Sequence, residues 1–283
     1  MNRPPRIAIS LGASFLGYAT HAGFLARLHE LGVRPVSVGG SSAGAVAAGL
    51  FAAGLEPRKI KEAVLSWELR WAFACGTPWW THYLRVSFNS VHVSALHPRG
   101  AIDYFESLFG SRKIEELHAP SFIAAVTDLE QCRSLFLRQG SLAKAMVASC
   151  CMPTFMAPLE HAGIECFDGG VAQETPIDPW LEDPEVDIIV AHRILHPASR
   201  PLKLFPFNIF NTPGKVLACA GEQLLEYRRR LADFHGKKFI VSHTLHARPP
   251  VFSGKGMAGF YATGEAQAQR LFDEQLKPLL GQS

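Results

Sequence analysis

A short segment near the start of the chain constrains the fold more than any other. Residues 35–44 read Pro-Val-Ser-Val-Gly-Gly-Ser-Ser-Ala-Gly, and their apolar part predicts a buried strand. An alanine-rich run with helical spacing, residues 43–53, follows without a loop. The junction contains Gly40-x-Ser42-x-Gly44, the spacing of a nucleophile elbow. Such a turn exposes the serine hydroxyl at the end of the strand, and the helix N-terminus favours the negative charge that develops there.

The surrounding segments predict an α/β protein. Residues 6–11 predict a buried strand and residues 18–31 an amphipathic helix, so the chain begins strand–helix–strand–helix. That order is typical of parallel strands joined by helical crossovers. Further strands are predicted at residues 122–126, 134–137, 166–168, 186–191 and 239–242, and further helices at residues 101–109, 141–151, 213–234 and 257–280.

Length and charge narrow the class of protein. A chain of 283 residues with 48% hydrophobic residues can bury a sizeable core, and we expect residues 1–283 to form a single domain. The net charge of +3 gives no electrostatic reason to expect nucleic-acid binding. There is no run of 18 apolar residues and no recognisable signal peptide, which together predict a soluble, cytoplasmic protein.

A second candidate group lies at the end of a later predicted strand. The run Cys166-Phe167 leads into Asp168-Gly169-Gly170, where the glycines allow a close approach of the backbone. Serine is a weak nucleophile until a base accepts its proton, and an aspartate at a neighbouring strand end can be that base. We therefore expect Asp168 to lie near Ser42.

The two motifs together resemble the Ser–Asp dyad signature of the patatin-like phospholipases. Similarity to that family covers residues 6–50 and 122–192, and it is looser at residues 257–261. The runs that carry it, besides the two motifs, are Val126-Thr127-Asp128-Leu129, Gly140-Ser141-Leu142-Ala143-Lys144-Ala145, Ala148-Ser149-Cys150-Cys151-Met152-Pro153 and Gly170-Val171-Ala172-Gln173-Glu174-Thr175-Pro176-Ile177.

The resemblance implies a three-layer α/β/α sandwich with a mainly parallel central sheet. It implies hydrolysis of carboxylic esters in phospholipids or related lipids, with Ser42 as nucleophile and Asp168 as general base. Backbone N–H groups at Ala13, Ser14 and Ala43 are the implied donors to the oxyanion. It implies no metal or organic cofactor, a lipid or ester substrate, and peripheral contact with a membrane.

Two alternatives remain open from the sequence. The loop after the first strand has Ala13 and Ser14 where the family has glycines, and Leu16 where it has arginine. That departure allows a non-catalytic relative that binds lipid or acts as a scaffold. The other alternative is an α/β-hydrolase esterase with a Ser–Asp–His triad. Its members here would be Ser42, Asp187, and His243 or His246.

An aromatic-rich stretch at about residues 70–120 matches nothing in the family. Gly76 and Pro78 interrupt it, so one continuous helix is excluded. We predict a variable insertion or lid whose aromatic residues line the acyl-chain entrance or dock on aggregated substrate. Packing in the core is the other interpretation. These aromatic residues are Trp71, Phe73, Trp79, Trp80 and Tyr83.

Overall fold

Buried parallel strands form the centre of the molecule, as the apolar runs predict. The computed structural model describes residues 3–74, 96–153, 155–196, 212–247, 249 and 254–281, with residues 212–218 as backbone only. In chain order the strands are β1 (Ile7–Leu11), β2 (Ser37–Ser41), β3 (Ser121–Asp128), β4 (Arg133–Leu137), β5 (Leu159–His161), β6 (Ile164–Asp168), β7 (Ile188–Leu195) and β8 (Lys238–Leu245).

In this part of the chain the eight strands form one sheet in the order β5-β6-β3-β2-β1-β7-β8, with β4 paired to β3. The central pairs β3–β2, β2–β1, β1–β7 and β7–β8 are parallel. By contrast β4, β5 and β6 pair in antiparallel fashion at one side. Every residue of β1 and β2 is buried, which requires cover on both faces of the sheet.

Helices provide that cover on both faces. They are α1 (Tyr18–Glu30), α2 (Ala43–Ala52), α3 (Pro57–Leu65), α4 (Trp67–Ala74), α5 (Arg99–Phe109), α6 (Leu142–Ala148), α7 (Asp178–Leu181), α8 (Thr212–Phe234), α9 (Met257–Leu271) and α10 (Lys277–Leu279). Along β1, Ile7 and Ile9 belong to the larger apolar cluster, with α1, α2 and α9. The intervening Ala8 belongs to a second cluster, with α7 and α8. Helix, sheet and helix therefore form the three layers that were predicted.

Half of the predicted insertion packs on this core. Within residues 96–120, α5 buries Phe105 completely, and a 3-10 turn buries Ile114. Leu96 forms an isolated bridge with Met156. Residues 70–74 belong to α4, and residues 75–95 lie outside the described residues.

Among the helices of the described ranges, none is long and apolar enough to cross a bilayer.

Candidate active site

Ser42 occupies the sharp turn between β2 and α2, with φ of 53° and ψ of −121°. A positive φ is costly for a residue with a side chain, so the turn is strained. Both motif glycines are required by space: a Cβ on Gly40 would lie 2.6 Å from the Leu11 carbonyl oxygen, and one on Gly44 would lie closer still. The Ser42 hydroxyl does not cap α2. Strand, strained turn and helix therefore follow one another at Ser42 without an intervening loop.

The sheet brings Asp168 to the same place. β3 lies between the two candidate residues: Ser41 pairs with Ala125, and the next residue, Val126, pairs with Asp168 at the end of β6. Asp168 is 4% exposed, and the Ser42 hydroxyl lies close enough to its carboxyl group to lower the pKa of that group. The structure thus brings together the two residues expected to be neighbours.

Burial controls the charge of Asp168. Loss of water raises its pKa from 3.8 to about 6, against the lowering effect of hydrogen bonds from the Ser42 hydroxyl and the Gly170 N–H. The Gly170 N–H lies 2.7 Å from Oδ1. Gly169 is also dictated by space, because a Cβ there would lie 2.6 Å from Ser41 Oγ. At neutral pH the carboxylate is mainly ionised and can accept a proton.

Two further residues, which the sequence analysis did not single out, fix this geometry. Ser149 Oγ accepts the Ser42 backbone N–H at 2.9 Å and donates to the Ala125 carbonyl at 2.6 Å. Thr127 Oγ1 donates to the Asp168 carbonyl at 2.8 Å. Both residues belong to runs that carry the family resemblance, and that membership was the sequence signal that could have identified them.

The three predicted oxyanion donors differ in whether their backbone N–H group already has an acceptor. The Ala13 N–H donates to the Glu174 carbonyl at 2.7 Å, so it does not fit the predicted role of oxyanion donor. The N–H groups of Ser14 and Ala43 have no acceptor among the described residues. Ala43 is the first residue of α2, where N–H groups have no partner within the helix.

The departures from glycine in this loop cause no backbone strain. Ala13 and Ser14 lie outside the left-handed region, and Leu16, with φ of 52°, is the loop residue within it. The changes to alanine and serine are therefore compatible with the loop conformation.

Cys150 lies beside the two candidate residues without being a second nucleophile. Burial, with the nearby Asp168, raises the pKa of its thiol well above the usual value, and the Ser42 hydroxyl contacts it. Reactivity of cysteine depends on the thiolate, so this thiol is inert at neutral pH.

The structure does not bring a Ser–Asp–His triad together. Asp187 precedes β7 at the opposite edge of the sheet, where Arg3 and the Arg6 backbone N–H hold its carboxylate. His246 bonds instead to Thr20 Oγ1. That alternative is wrong for this chain. Among the described residues, no group of three or more His, Cys, Asp or Glu residues could hold a metal ion.

Of the five aromatic residues predicted to line the acyl-chain entrance, Trp71 and Phe73 belong to α4. Trp71 is exposed, whereas Phe73 packs edge-on against Phe105 with ring centroids 6.1 Å apart. Trp79, Trp80 and Tyr83 lie outside the described residues.

Large exposed apolar side chains occur in the loops near Asp168. Their exposed fractions lie between 41% and 59%. Cys151 and Gly170, which precede two of them, hydrogen-bond to Asp168, and Gly170 faces Ala13. We call this set the apolar rim; it consists of Phe15, Met152, Phe155 and Val171.

A family model matches the part of the chain that contains the candidate active site. A model described as "Patatin-like phospholipase" matches residues 10–181, more than half of the chain. Those residues include both motifs and the loop after β1.

Similar individual proteins and a similar solved structure were also found. Uncharacterized NTE family proteins from Mycobacterium bovis and Mycobacterium tuberculosis are 32% identical over 176 residues, which is 62% of this chain and 45% of theirs. The chain thus aligns with less than half the length of these relatives. The crystal structure of VipD from Legionella pneumophila has a TM-score of 0.53 at 15% identity, covering 96% of this chain and 67% of VipD. That likeness concerns the fold alone.

Proposed function

Because the chain belongs to the patatin-like phospholipase family, we propose that it is a lipid acyl hydrolase with Ser42 as nucleophile and Asp168 as general base. The observation that carries this proposal is a serine at a strained strand-to-helix turn, close to the buried carboxyl group of Asp168. Histidine is not needed in this scheme, since the carboxylate accepts the proton directly.

The reaction proceeds in two steps. Ser42 Oγ attacks the carbonyl carbon of the ester while Asp168 accepts the hydroxyl proton. The tetrahedral intermediate then breaks its bond to the alcohol oxygen, and Asp168 returns the proton to the leaving alcohol. In the second step Asp168 takes a proton from water, whose oxygen attacks the acyl-enzyme. Collapse releases the carboxylic acid and restores the Ser42 hydroxyl.

The pKa of Asp168 suits both transfers. A pKa of about 6 leaves the carboxylate ionised at neutral pH, and its conjugate acid is strong enough to return the proton. Burial thus makes Asp168 a better base than an exposed aspartate with a pKa near 4.

Negative charge on the carbonyl oxygen requires hydrogen-bond donors. We assign this role to the N–H groups of Ser14 and Ala43, which have no acceptor among the described residues. The N-terminus of α2 adds a favourable dipole. Each such donor is worth about 10²–10³ in rate in enzymes of this chemistry.

The apolar rim favours lipid in an aggregated surface over a dissolved ester. Exposed apolar groups clustered on a protein mark a site of interaction with an apolar partner. Here they lie in the loops near Asp168, so a lipid surface that covers them also brings its esters close to the proposed reacting serine. The alternative, a non-catalytic lipid-binding protein, would use the same rim without turnover.

A comparison of turnover separates these functions. We expect the wild-type chain to hydrolyse p-nitrophenyl butyrate and phosphatidylcholine vesicles, and Ser42→Ala to lose both activities. The matched control is Ser107→Ala, which changes an exposed serine on α5 and should retain wild-type rates. Vesicle binding without hydrolysis of either substrate by the wild type would favour the non-catalytic function.

A further inference from the structure

Two buried histidines meet behind the loop that follows β1. His21 of α1 and His192 of β7 are both 0% exposed, and their Nδ1 atoms are 3.0 Å apart. The rings meet edge to face, with an interplanar angle of 86°. Neither side chain takes part in the proposed proton transfers.

The neighbours of this pair fix where its hydrogens lie. His21 Nε2 is 2.9 Å from the Gly12 carbonyl oxygen, which can only accept, so Nε2 carries the hydrogen. In a neutral ring His21 Nδ1 is then the acceptor, and His192 Nδ1 must be the donor. His192 Nε2 is left as an acceptor, and the Thr244 hydroxyl lies 2.9 Å from it.

Both rings are neutral at physiological pH. Burial lowers the pKa of His21 to about 3 and that of His192 well below its ordinary value. His243 and His246 add to the lowering for His192. The assignment of one hydrogen to each ring therefore holds.

This hydrogen-bond chain ends on the peptide that joins Gly12 to Ala13. His21 holds the carbonyl of that peptide, and the Glu174 carbonyl holds its N–H at 2.7 Å. The Gly12 N–H donates to the backbone carbonyl of His192 at 2.9 Å. A peptide held on both sides cannot rotate without losing two buried hydrogen bonds.

Glu174, whose backbone carbonyl accepts the Ala13 N–H, is itself held in place by an ion pair. The Glu174 carboxylate pairs with Arg193, whose side chain is 3% exposed and also pairs with Glu222. The Glu174 backbone is therefore anchored to β7, the strand that also provides His192.

We propose that the His21–His192 pair is a positioning device that fixes the orientation of the Gly12–Ala13 peptide, so that Ser14 and not Ala13 donates the loop N–H to the oxyanion. This inference rests on the proposed function. The loop lacks two of the glycines of its family, and the pair supplies a side-chain constraint on its backbone.

The hydrogen positions can be tested without any activity. Nitrogen-15 NMR of the labelled whole chain distinguishes ring nitrogens with and without hydrogen. We expect His21 to carry its hydrogen on Nε2 and His192 on Nδ1. His21→Gln identifies the first ring by loss of its signals, and Thr244→Val identifies the second by a shift at Nε2. The opposite tautomer in either ring would overturn the proposal.

The effect on the loop is tested by kinetics with p-nitrophenyl butyrate. His21→Met removes the donor to the Gly12 carbonyl at similar side-chain length, and we expect kcat to fall about 10- to 100-fold with KM nearly unchanged, part of the effect of one oxyanion donor. His21→Gln restores an N–H donor and should recover most of kcat.

The control separates positioning from stability. Ser37→Ala removes another buried hydrogen bond, from Trp180 Nε1 at 2.8 Å, at the opposite end of β2. Equal kcat in His21→Met and Ser37→Ala, both folded, would overturn the positioning role while leaving the Ser42 proposal intact. A wild type without turnover contradicts the proposed function instead, and the tautomers are still measured independently.

Discussion

Asp168 is subject to two opposing demands: burial disfavours its charge, and the proposed proton transfer requires that charge. Its pKa of about 6 reflects the cost of desolvation against two hydrogen bonds. An acid whose pKa rises on folding holds its proton more tightly in the folded chain. The buried carboxylate therefore lowers the free energy of unfolding. This loss of stability is absent below the unfolded pKa near 4, grows as the pH rises towards 6, and is complete above pH 6.

Replacing Asp168 by asparagine should separate stability from activity. We expect Asp168→Asn to lose at least about 10³ in kcat, since an amide accepts no proton. At pH 7.5 the variant should be more stable than the wild type by roughly 1–3 kcal/mol, and at pH 4 this gain should vanish. Thermal unfolding at both pH values measures it. His243→Ala, a control outside the site, should remain active; loss of its activity with Asp168→Asn still active would contradict the dyad.

The same pKa predicts the pH dependence of the wild type. kcat/KM for a short ester should rise with pH through about 6 and level off, because only the ionised Asp168 of the free enzyme accepts the proton. Initial rates between pH 4.5 and 8 measure it, in assay conditions where the ester is stable. A profile that is flat across this range would show that Asp168 is not the base.

Ser149 offers a test of how the elbow is held. Ser149→Ala leaves the Ser42 N–H and the Ala125 carbonyl without their buried partner, at a cost of about 1–3 kcal/mol in stability. We expect kcat to fall about tenfold because the elbow loses a constraint. Chemical denaturation and kinetics on the same preparation measure both. Wild-type kcat with reduced stability would make Ser149 purely structural.

At the scale of elements, α8 and the loops at the carboxyl ends of the strands both expose apolar side chains. On α8 these include Leu231 and Phe234, which are close to the start of β8 and therefore at the edge of the sheet remote from Ser42. The apolar rim lies at the near edge. We therefore expect the apolar rim to dock on the lipid surface that presents substrate to Ser42. We expect Leu231 and Phe234 of α8, at the remote edge, not to do so.

A pair of double variants tests that distinction. Phe155→Ser with Val171→Ser should lower hydrolysis of phosphatidylcholine vesicles about tenfold or more, since burying each side chain in lipid stabilises docking by roughly 1–2 kcal/mol. Hydrolysis of p-nitrophenyl butyrate should change less than about twofold. Leu231→Ser with Phe234→Ser is the matched control and should change neither rate. Equal losses on both substrates in the rim variant would argue against docking.

At the scale of the whole molecule, local patterns predicted the parallel strands with helical crossovers correctly, and the family resemblance predicted the three layers correctly. Buried strands such as β1 are continuous apolar runs, and the turn at Ser42 is encoded within five residues. Partners distant in the sequence were not predicted. Ser149 at the end of α6 meets Ser42, and His21 of α1 meets His192 of β7, because the packing of these helices on the sheet places them together. The Ala13 N–H donates to the carbonyl of Glu174, which is distant in the sequence. The predicted role of Ala13 as a donor to the oxyanion therefore does not fit the structure.

Covalent labelling tests the central claim most directly. A fluorophosphonate reacts with a serine whose hydroxyl is activated by a base, so intact mass followed by peptide mapping should show one adduct, on Ser42. Ser42→Ala should give no adduct, and Asp168→Asn should react at least about a hundredfold more slowly. The Ser107→Ala control should be labelled like the wild type. An unlabelled wild type, under conditions that label a known serine esterase, would contradict the account.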